Sequence, residues 1–475
     1  MASREVAMVR QSGELVAGQD PGELLAAQRA FFDAGHTLPR EFRDAQLRAL
    51  LAAIQRREAD IEAALSADLH KPQYEAWALE IGMVQTEIKH AIRHLRRWMK
   101  PTTAISPVIA QPSRSVVYPQ PVGPSLILGA WNYPFQLSVQ PLVSALAAGC
   151  TAVVKPSELS PATSAIIAEI VRDTFAPELV AVVEGGVEES TALLKLPWEH
   201  VFYTGGTTVG RIVAHAAAEH LSRVTLELGG KSPVIVGPSA NMPTAARRIG
   251  WGKWINAGQT CIAPDYVLVH ESRHDELIEG LRAFAASAYG ADPSTSPDYC
   301  RIVNERHFRR VAGLIDPAKV VVGGQTDAAS RYIAPTVMTG VTWDDPIMKE
   351  EIFGPVLPVL KIRSVRDAVD EIRRSPNPLA LYLFSEDAAD RDLIVDRVSF
   401  GGGCWNNTGF HLSDPTLPFG GIRTSGIGAY HGKHGFDRFT HFKAFLESSS
   451  ARAFDLPLRY APYEGKLSKL KWLFG

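Results

Sequence analysis

Three side-chain types capable of acyl chemistry occur in loop-like settings along this chain: a thiol, a carboxylate and an amide. Cys261 lies in WINAGQTCIAP (254–264), a stretch rich in Gly, Thr and Asn rather than an apolar run. A cysteine is usually an inert small hydrophobe, whereas a loop thiol is positioned to react as a thiolate. Its ordinary pKa is about 8.5, and lowering that by one unit takes about 1.4 kcal/mol of thiolate stabilisation, from a helix N-terminus or a nearby cation. Glu227 closes the apolar run VTLEL and precedes Gly229-Gly230. A carboxylate there is either an ion-pair partner or, with its pKa raised by partial burial, a general base. The glycines let another chain or a ligand approach closely. Asn132 in GAWNYPFQ (129–136) sits just before Pro134, a residue suited to the first turn of a helix. Its amide fits either an N-cap or a preorganised donor to a developing oxyanion. A fourth segment, YTGGTTVGRIV (203–213), is a Gly-rich turn running into a helical stretch, an anion site suited to a pyrophosphate. It is neither the Rossmann G-x-G-x-x-G nor a Walker loop.

These segments follow short apolar runs, so strands must position them. From about residue 125, SLILGA, TAVVK, LVAVVEG, HVFYTG and RVTLELGG alternate with helical segments. Such alternation predicts a parallel sheet covered on both faces, with ligands at the carboxyl ends of its strands. A second set follows Lys231: SPVIVG, DYVLVH, KVVVGG, APTVMTG, VLPVLKI and LALYLFSED. Ahead of both, Leu47, Leu50, Leu51 and Ile54, then Ile88, Ile92 and Leu95, repeat with helical period. The segment 102–123, Pro-bearing and β-branched, reads as an extended or hairpin excursion. PLVSALAAGCTAVV (141–154) reads as a buried helix and strand rather than a membrane span.

The chain has 475 residues, long enough for two or three domains. Hydrophobic residues make up 46%, which argues against intrinsic disorder as the main state. With 49 Lys+Arg against 51 Asp+Glu the net charge is −2, so no global field draws nucleic acid. Four cysteines without C-x-x-C spacing fit intracellular thiols better than a disulfide framework, and no ligand spacing suggests a metal. The charged N-terminal segment lacks the apolar stretch of a signal peptide, and the expected location is the cytoplasm, without stable membrane insertion.

Taken together, these segments resemble the aldehyde dehydrogenase superfamily over about residues 22–445. VVKPSELSP (153–161), EEIFGPVLPVL (350–360), LALYLFSED (379–387) and LPFGGIRTSGIGAYHGKHGF (417–436) extend the likeness. The last of these, with the short N-terminus, looks like the class 3 branch, which includes fatty, aromatic and coniferyl aldehyde dehydrogenases. The resemblance implies an α/β fold: a Rossmann-type cofactor domain (1–101 and 124–228), an α/β catalytic domain (229–420), and a small β oligomerisation element with a C-terminal tail (102–123 and 421–475). It implies NAD(P)-dependent oxidation of an aldehyde to a carboxylic acid, NAD or NADP as cofactor, and a homodimer. Cys261 would be the nucleophile, Asn132 with the Cys261 N–H the oxyanion donors, and Glu227 the base that hydrolyses the thioester.

The same likeness assigns Lys155 and Glu158 to the adenosine ribose, Gly205, Gly206, Thr207 and Gly210 to the pyrophosphate turn, Glu351 to the nicotinamide ribose and Phe353 to the nicotinamide. Without it, Lys155 and Glu158 read as a solvated strand end and EEIFGP as a helix end and turn. Two positions depart from the pattern. Gly206 stands where serine is usual, and Arg423 in PFGGIR stands where glycine is usual. Trp131, Tyr133, Phe135, Trp405 and Phe410 are expected to line an apolar funnel for aromatic or medium-to-long-chain aldehydes, though core packing explains each as well. Cys404 is expected to pack near the site mouth. KLSKLKWLFG (466–475) is expected to gate or shape the entrance, with packing on its own or a partner subunit as the alternative. Acyl transfer to coenzyme A and a cofactor-binding protein without turnover remain the competing functions. Glu227 opposes the first, and retention of Cys261, Glu227 and Asn132 together opposes the second.

Overall fold

A computed structural model describes residues 20–107, 110–451 and 455–473. The N-terminal segment 1–19 and the last two residues of the tail lie outside the described residues. The chain opens with helices Pro21–Asp33, Arg40–Arg56, Glu58–Leu69 and Gly82–Trp98, the last preceded by a π-helical turn, Trp77–Ile81. Leu47, Leu50, Ile54, Ile88 and Leu95 are buried, as their periodicity requires, and most charged residues of their two helices take the outer faces, with Arg43 and Glu87 the buried exceptions.

A six-stranded sheet follows, in the order Gly426–Ile427, Arg223–Leu228, His200–Gly205, Ser125–Leu128, Ala152–Lys155, Val180–Val182. All neighbours are parallel except Gly426–Ile427, which pairs antiparallel with Arg223–Leu228. The chain enters at Ser125–Leu128, adds two strands on one side, then crosses to add two on the other. The winding therefore reverses between Ser125–Leu128 and His200–Gly205, and open α/β sheets bind ligands at the carboxyl ends beside such a reversal. Those two ends lead directly into the Asn132 turn and the Gly205-Gly206 turn.

The second sheet runs Val320–Val322, Thr336–Met338, Val356–Ile362, Tyr266–His270, Pro233–Val236, Ala380–Phe384, Gly402–Trp405. It is parallel apart from its first strand. Cys261 lies in the loop that enters Tyr266–His270, after helix Met242–Trp254 and the turn Ile255–Gly258. Each apolar run read as a strand is one, because parallel strands covered on both faces are continuously hydrophobic. Gly402–Trp405, too glycine-rich to read as a strand, is held by pairing with Ala380–Phe384.

A third, antiparallel sheet joins Thr102–Ala104, Ser113–Pro121 and Thr440–Ser448. The 102–123 excursion is thus a hairpin-like pair completed from the far end of the chain. Among the described residues of the 421–475 segment expected to form the oligomerisation element and tail, only Thr440–Ser448 joins this sheet. Gly426–Ile427 belongs to the six-stranded sheet, and helix Gly432–Arg438 lies against helices Gly82–Trp98 and Pro134–Ala148. Gly435 allows that approach, since a Cβ there would come within 2.2 Å of Ser144 Oγ.

Candidate active site

Helix Pro134–Ala148 begins with proline, as expected, but its N-terminus is capped from a distance. Glu80 accepts from the Phe135 and Gln136 N–H groups at 2.9 and 3.2 Å, and the buried Lys71 ammonium pairs with the same carboxylate. Lys71 also donates to the Asn132 carbonyl oxygen at 3.1 Å, and Asn256 Nδ2 donates to it at 2.8 Å. This network fixes the backbone of Asn132. Its side-chain amide is not wholly free: Nδ2 donates to the Gln259 carbonyl oxygen at 3.0 Å, which leaves one N–H to donate elsewhere.

The Cys261 loop is held with similar thoroughness. Asn256 and Ala257 adopt left-handed backbone at φ 50° and 51°. Gln259 ties its own loop to the 301–303 segment, donating to the Asn256 and Arg301 carbonyl oxygens and accepting from the Val303 N–H. Tyr133 Oη and Thr260 Oγ1 lie 2.7 Å apart, and the Tyr382 hydroxyl donates to the Ile262 carbonyl oxygen at 2.6 Å. Cys261 itself is half-buried and occupies a turn, not a helix N-terminus. Burial, then the carboxylates of Glu351 and Glu227, push its thiol well above the usual range, and the Cys261 and Ile262 N–H groups only partly oppose this. The thiol therefore needs an activating change before it can attack: loss of a proton to a base, or arrival of positive charge.

Glu227 ends the strand Arg223–Leu228, buried, with neither carboxylate oxygen hydrogen-bonded among the described residues. Burial alone raises its pKa well above the carboxylate range. A buried carboxyl with no partner is costly unless protonated or matched by a ligand, and such groups concentrate at functional sites. Glu351 lies across the same space, against Gly229, where a Cβ would come within 2.0 Å of its Oε2. Its pKa is raised to about 8, by burial first and Asp265 second, against the Gly230 N–H, Lys231 and Arg310. Phe353, at φ 48°, meets the Trp131 ring edge-on at 5.3 Å.

The Gly-rich turn ends the strand next to that of Glu227, with Gly205 in register with Leu228. Helix Thr207–Glu219 has no side-chain cap, and a Cβ on Gly206 would meet nothing within 4 Å. Open N–H groups at a helix start beside unfilled space fit a dinucleotide phosphate. Gly210 has a different role: a Cβ there would come within 2.6 Å of Leu228, so it sets how closely the helix lies on the sheet. Lys155 and Glu158 pair at 2.9 Å at the end of Ala152–Lys155, the lysine buried and the glutamate largely exposed. Arg423 is exposed at φ 56°, left-handed backbone that explains why glycine suits this position.

Beside Thr260 and Tyr133 opens an apolar cavity of about 630 Å³, lined by Leu79, Met83, Trp251, Phe284, Phe410 and neighbours. Of the five aromatics expected there, Tyr133 and Phe410 line it. Trp131 instead stands with Phe353 and His307, Phe135 is fully buried in the core, and Trp405 lies under Arg391 on the surface. Alternation of side chains around a turn sends neighbours to different compartments, which their shared aromatic character hides. Cys404 is half-buried, with Sγ 3.5 Å from His411 Nδ1. The tail helix Leu467–Leu473 shares no lining residue with the cavity. Lys466 anchors the segment before it to the Pro457 and Tyr460 carbonyl oxygens.

No sequence pattern marks the supporting groups: Lys71, Glu80, Asn256, Gln259, Glu75, which accepts from the Asn256 N–H at 2.8 Å, and the buried Lys253. The Lys253 ammonium has no partner among the described residues, and burial lowers its pKa to about 8. Glu75, Glu80 and Lys253 are charged residues inside helical segments, a pattern that surface positions give equally, and Lys71, Asn256 and Gln259 lie in loops or turns where polar residues are ordinary.

The model of the aldehyde dehydrogenase family matches residues 19–445. The chain is 46% identical to the 4,4'-diaponeurosporen-aldehyde dehydrogenase of Staphylococcus aureus, over 94% of this chain and 97% of that protein. It is 41% identical to the dimeric NADP-preferring aldehyde dehydrogenase of Canis lupus familiaris, over 94% of this chain and 99% of that one. The solved structure of Staphylococcus aureus AldH in its substrate-bound state superposes with a TM-score of 0.93 at 45% identity, covering 95% of this chain and 99% of that one. The fold, its winding reversal and the family's pattern across nearly the whole chain lead to one conclusion: this protein belongs to the aldehyde dehydrogenase family.

Proposed function

We propose that this enzyme oxidises apolar aldehydes to free carboxylic acids with NAD or NADP, using Cys261 as nucleophile. The observation that carries the reading is Glu227, a buried carboxyl with no hydrogen-bond partner among the described residues and within electrostatic reach of Cys261. Once the thiol passes its proton through water to Glu227, which releases it to solvent, Sγ bonds to the aldehyde carbon, and the developing oxyanion accepts from the free Asn132 N–H and the Cys261 N–H. When bound, NAD or NADP would supply the hydride acceptor for oxidation of that carbon to the Cys261 thioester. The first turn of Thr207–Glu219, Lys155 and Glu158, Glu351 and Phe353 would hold the cofactor. Glu227 then takes a proton from water as the water oxygen bonds to the acyl carbon and the carbon–sulfur bond breaks.

The apolar cavity beside Thr260 supports medium-to-long-chain or aromatic substrates, because polar aldehydes would lose hydration there without replacement. Three units fit the architecture: a cofactor unit around the six-stranded sheet, a catalytic unit around the seven-stranded sheet, and the antiparallel sheet as an association element. Thr440–Ser448 is an edge strand exposing Phe442, Phe445 and Leu446, which supports pairing into a homodimer as in the dimeric relative. All four cysteines are free, and Cys261 must stay reduced to act, which favours the cytoplasm. Among the described residues no helix is long and apolar enough to cross a membrane.

The test is NAD(P)H formation with hexanal, decanal, benzaldehyde and a cinnamaldehyde, each with NAD and with NADP, beside Cys261→Ala. Reduction that vanishes in the variant supports the thiol mechanism. Reduction that needs coenzyme A would favour acyl transfer instead.

A further inference from the structure

Glu227 is not alone in lacking a partner. Thr204 Oγ1 and the Tyr430 hydroxyl are likewise buried and unpartnered among the described residues, and all three side chains are more than nine-tenths buried. They share one face of the six-stranded sheet. Thr204 and Glu227 are register partners on adjacent parallel strands. Tyr430 meets Phe202, one row earlier on that face, edge-on at 5.0 Å between ring centroids. Its backbone is fixed by paired hydrogen bonds with Phe419, four residues after Gly426 pairs with Glu227. Buried hydroxyls normally find partners, so two beside an orphaned carboxyl mark a polar chamber rather than ordinary core.

We propose that Tyr430, assisted by Thr204, is a positioning residue for Glu227: through a shared water, its hydroxyl donates to the carboxylate and holds it ionised and turned toward the acyl group on Cys261. This rests on the function proposed above. In the step served, water oxygen bonds to the acyl carbon and one water proton passes to Glu227. The carbon–sulfur bond breaks, and its electron pair returns to Cys261 Sγ. The titratable groups facing the chamber are Cys261 from the loop before Tyr266–His270, Tyr430 itself, and Glu87 from helix Gly82–Trp98 behind Tyr430. No basic side chain opposes the burial of Glu227, so hydrogen-bond donors are its available support.

The test needs no cofactor. Purified full-length protein is acylated at Cys261 with 4-nitrophenyl acetate, and loss of the acyl adduct is followed by intact mass from acid to alkaline pH. Tyr430→Phe is expected to slow adduct loss about tenfold at neutral pH and move the acid limb up by about one pH unit, because a lost donor disfavours the carboxylate. Acylation rate and melting temperature stay at wild type. Thr204→Val acts in the same direction and Thr204→Ser restores the wild-type rate, which keeps the test open should Tyr430→Phe fold poorly. In a Glu227→Gln background Tyr430→Phe adds nothing. An unmoved acid limb in both Tyr430→Phe and Thr204→Val, or a full Tyr430→Phe effect without Glu227, overturns the inference alone. A wild-type protein that takes no acyl group at Cys261 overturns the proposed function as well.

Discussion

The side-chain amide of Asn132 donates to the carbonyl oxygen of Gln259 at 3.0 Å, two residues before Cys261. The oxyanion donor proposed from one sheet is therefore tied to the nucleophile's loop entering the other. Asn132→Ala removes both the donor and the tie. We expect kcat to fall about 100-fold or more, as for loss of one preorganised oxyanion donor, with a smaller change in KM. Steady-state kinetics with decanal check this. A fall confined to KM would mean that Asn132 serves binding only.

Stability should fall as pH rises from 6.5 to 8. Glu351 and Glu87 have pKa values raised to about 8 and about 7, by burial in each case. The native state therefore holds protons there that the unfolded chain has released, and the slope of unfolding free energy with pH is negative. His200, His411 and His431, lowered to about 3, 4 and 3, oppose this at the lower edge of the window, where unfolded imidazoles still hold protons, and Lys253, lowered to about 8, opposes it at the upper edge, so the two carboxyls outweigh them only in part. Unfolding free energies from urea titrations of the cofactor-free protein at pH 6.5 and pH 8 should differ by about 1 kcal/mol. Glu351→Gln should flatten the difference.

Cofactor choice should respond to Glu158. Its partly exposed carboxylate pairs with buried Lys155 at the strand end assigned to the adenosine ribose. Glu158→Gln removes a negative charge that would repel a 2′-phosphate while leaving the lysine. The ratio of kcat/KM for NADP over NAD should rise about tenfold, a differential of about 1.4 kcal/mol. An unchanged ratio would remove Glu158 from the ribose site.

Chain-length preference should follow the cavity. Met83 lies on its wall, and Met83→Trp fills space that an alkyl chain would occupy. Excluding two methylenes costs about 1.6 kcal/mol. The kcat/KM for decanal should therefore fall more than tenfold while that for benzaldehyde changes little. Equal losses for both would indicate a general distortion.

Gly206→Ser should be tolerated. A Cβ there meets nothing within 4 Å, and a serine side chain could cap helix Thr207–Glu219. We expect unchanged melting temperature and a KM for the cofactor lowered a few-fold. Gly229→Ala is the contrast, since its Cβ must displace Glu351 and raise that KM.

Much of this protein was legible in its sequence. Continuous apolar runs fixed nearly every strand of both parallel sheets, because strands buried on both faces admit no alternation, and the helical period of Leu47 to Ile54 gave the N-terminal layer. Cys261, Glu227 and Asn132 stand out as chemically capable residues in loop-like settings, whereas Glu351 is marked only by the family resemblance. Tertiary structure decided what local pattern does not encode. It determined that Gly426–Ile427, some 200 residues downstream, pairs beside Glu227, and that Thr440–Ser448 completes the 102–121 hairpin. Lys71 and Glu80 became the support of Asn132, Trp131 and Tyr133 parted into different compartments, and Tyr430 came to share a face with Glu227. Each depends on contacts distant in sequence, where pairing and burial outweigh local propensity.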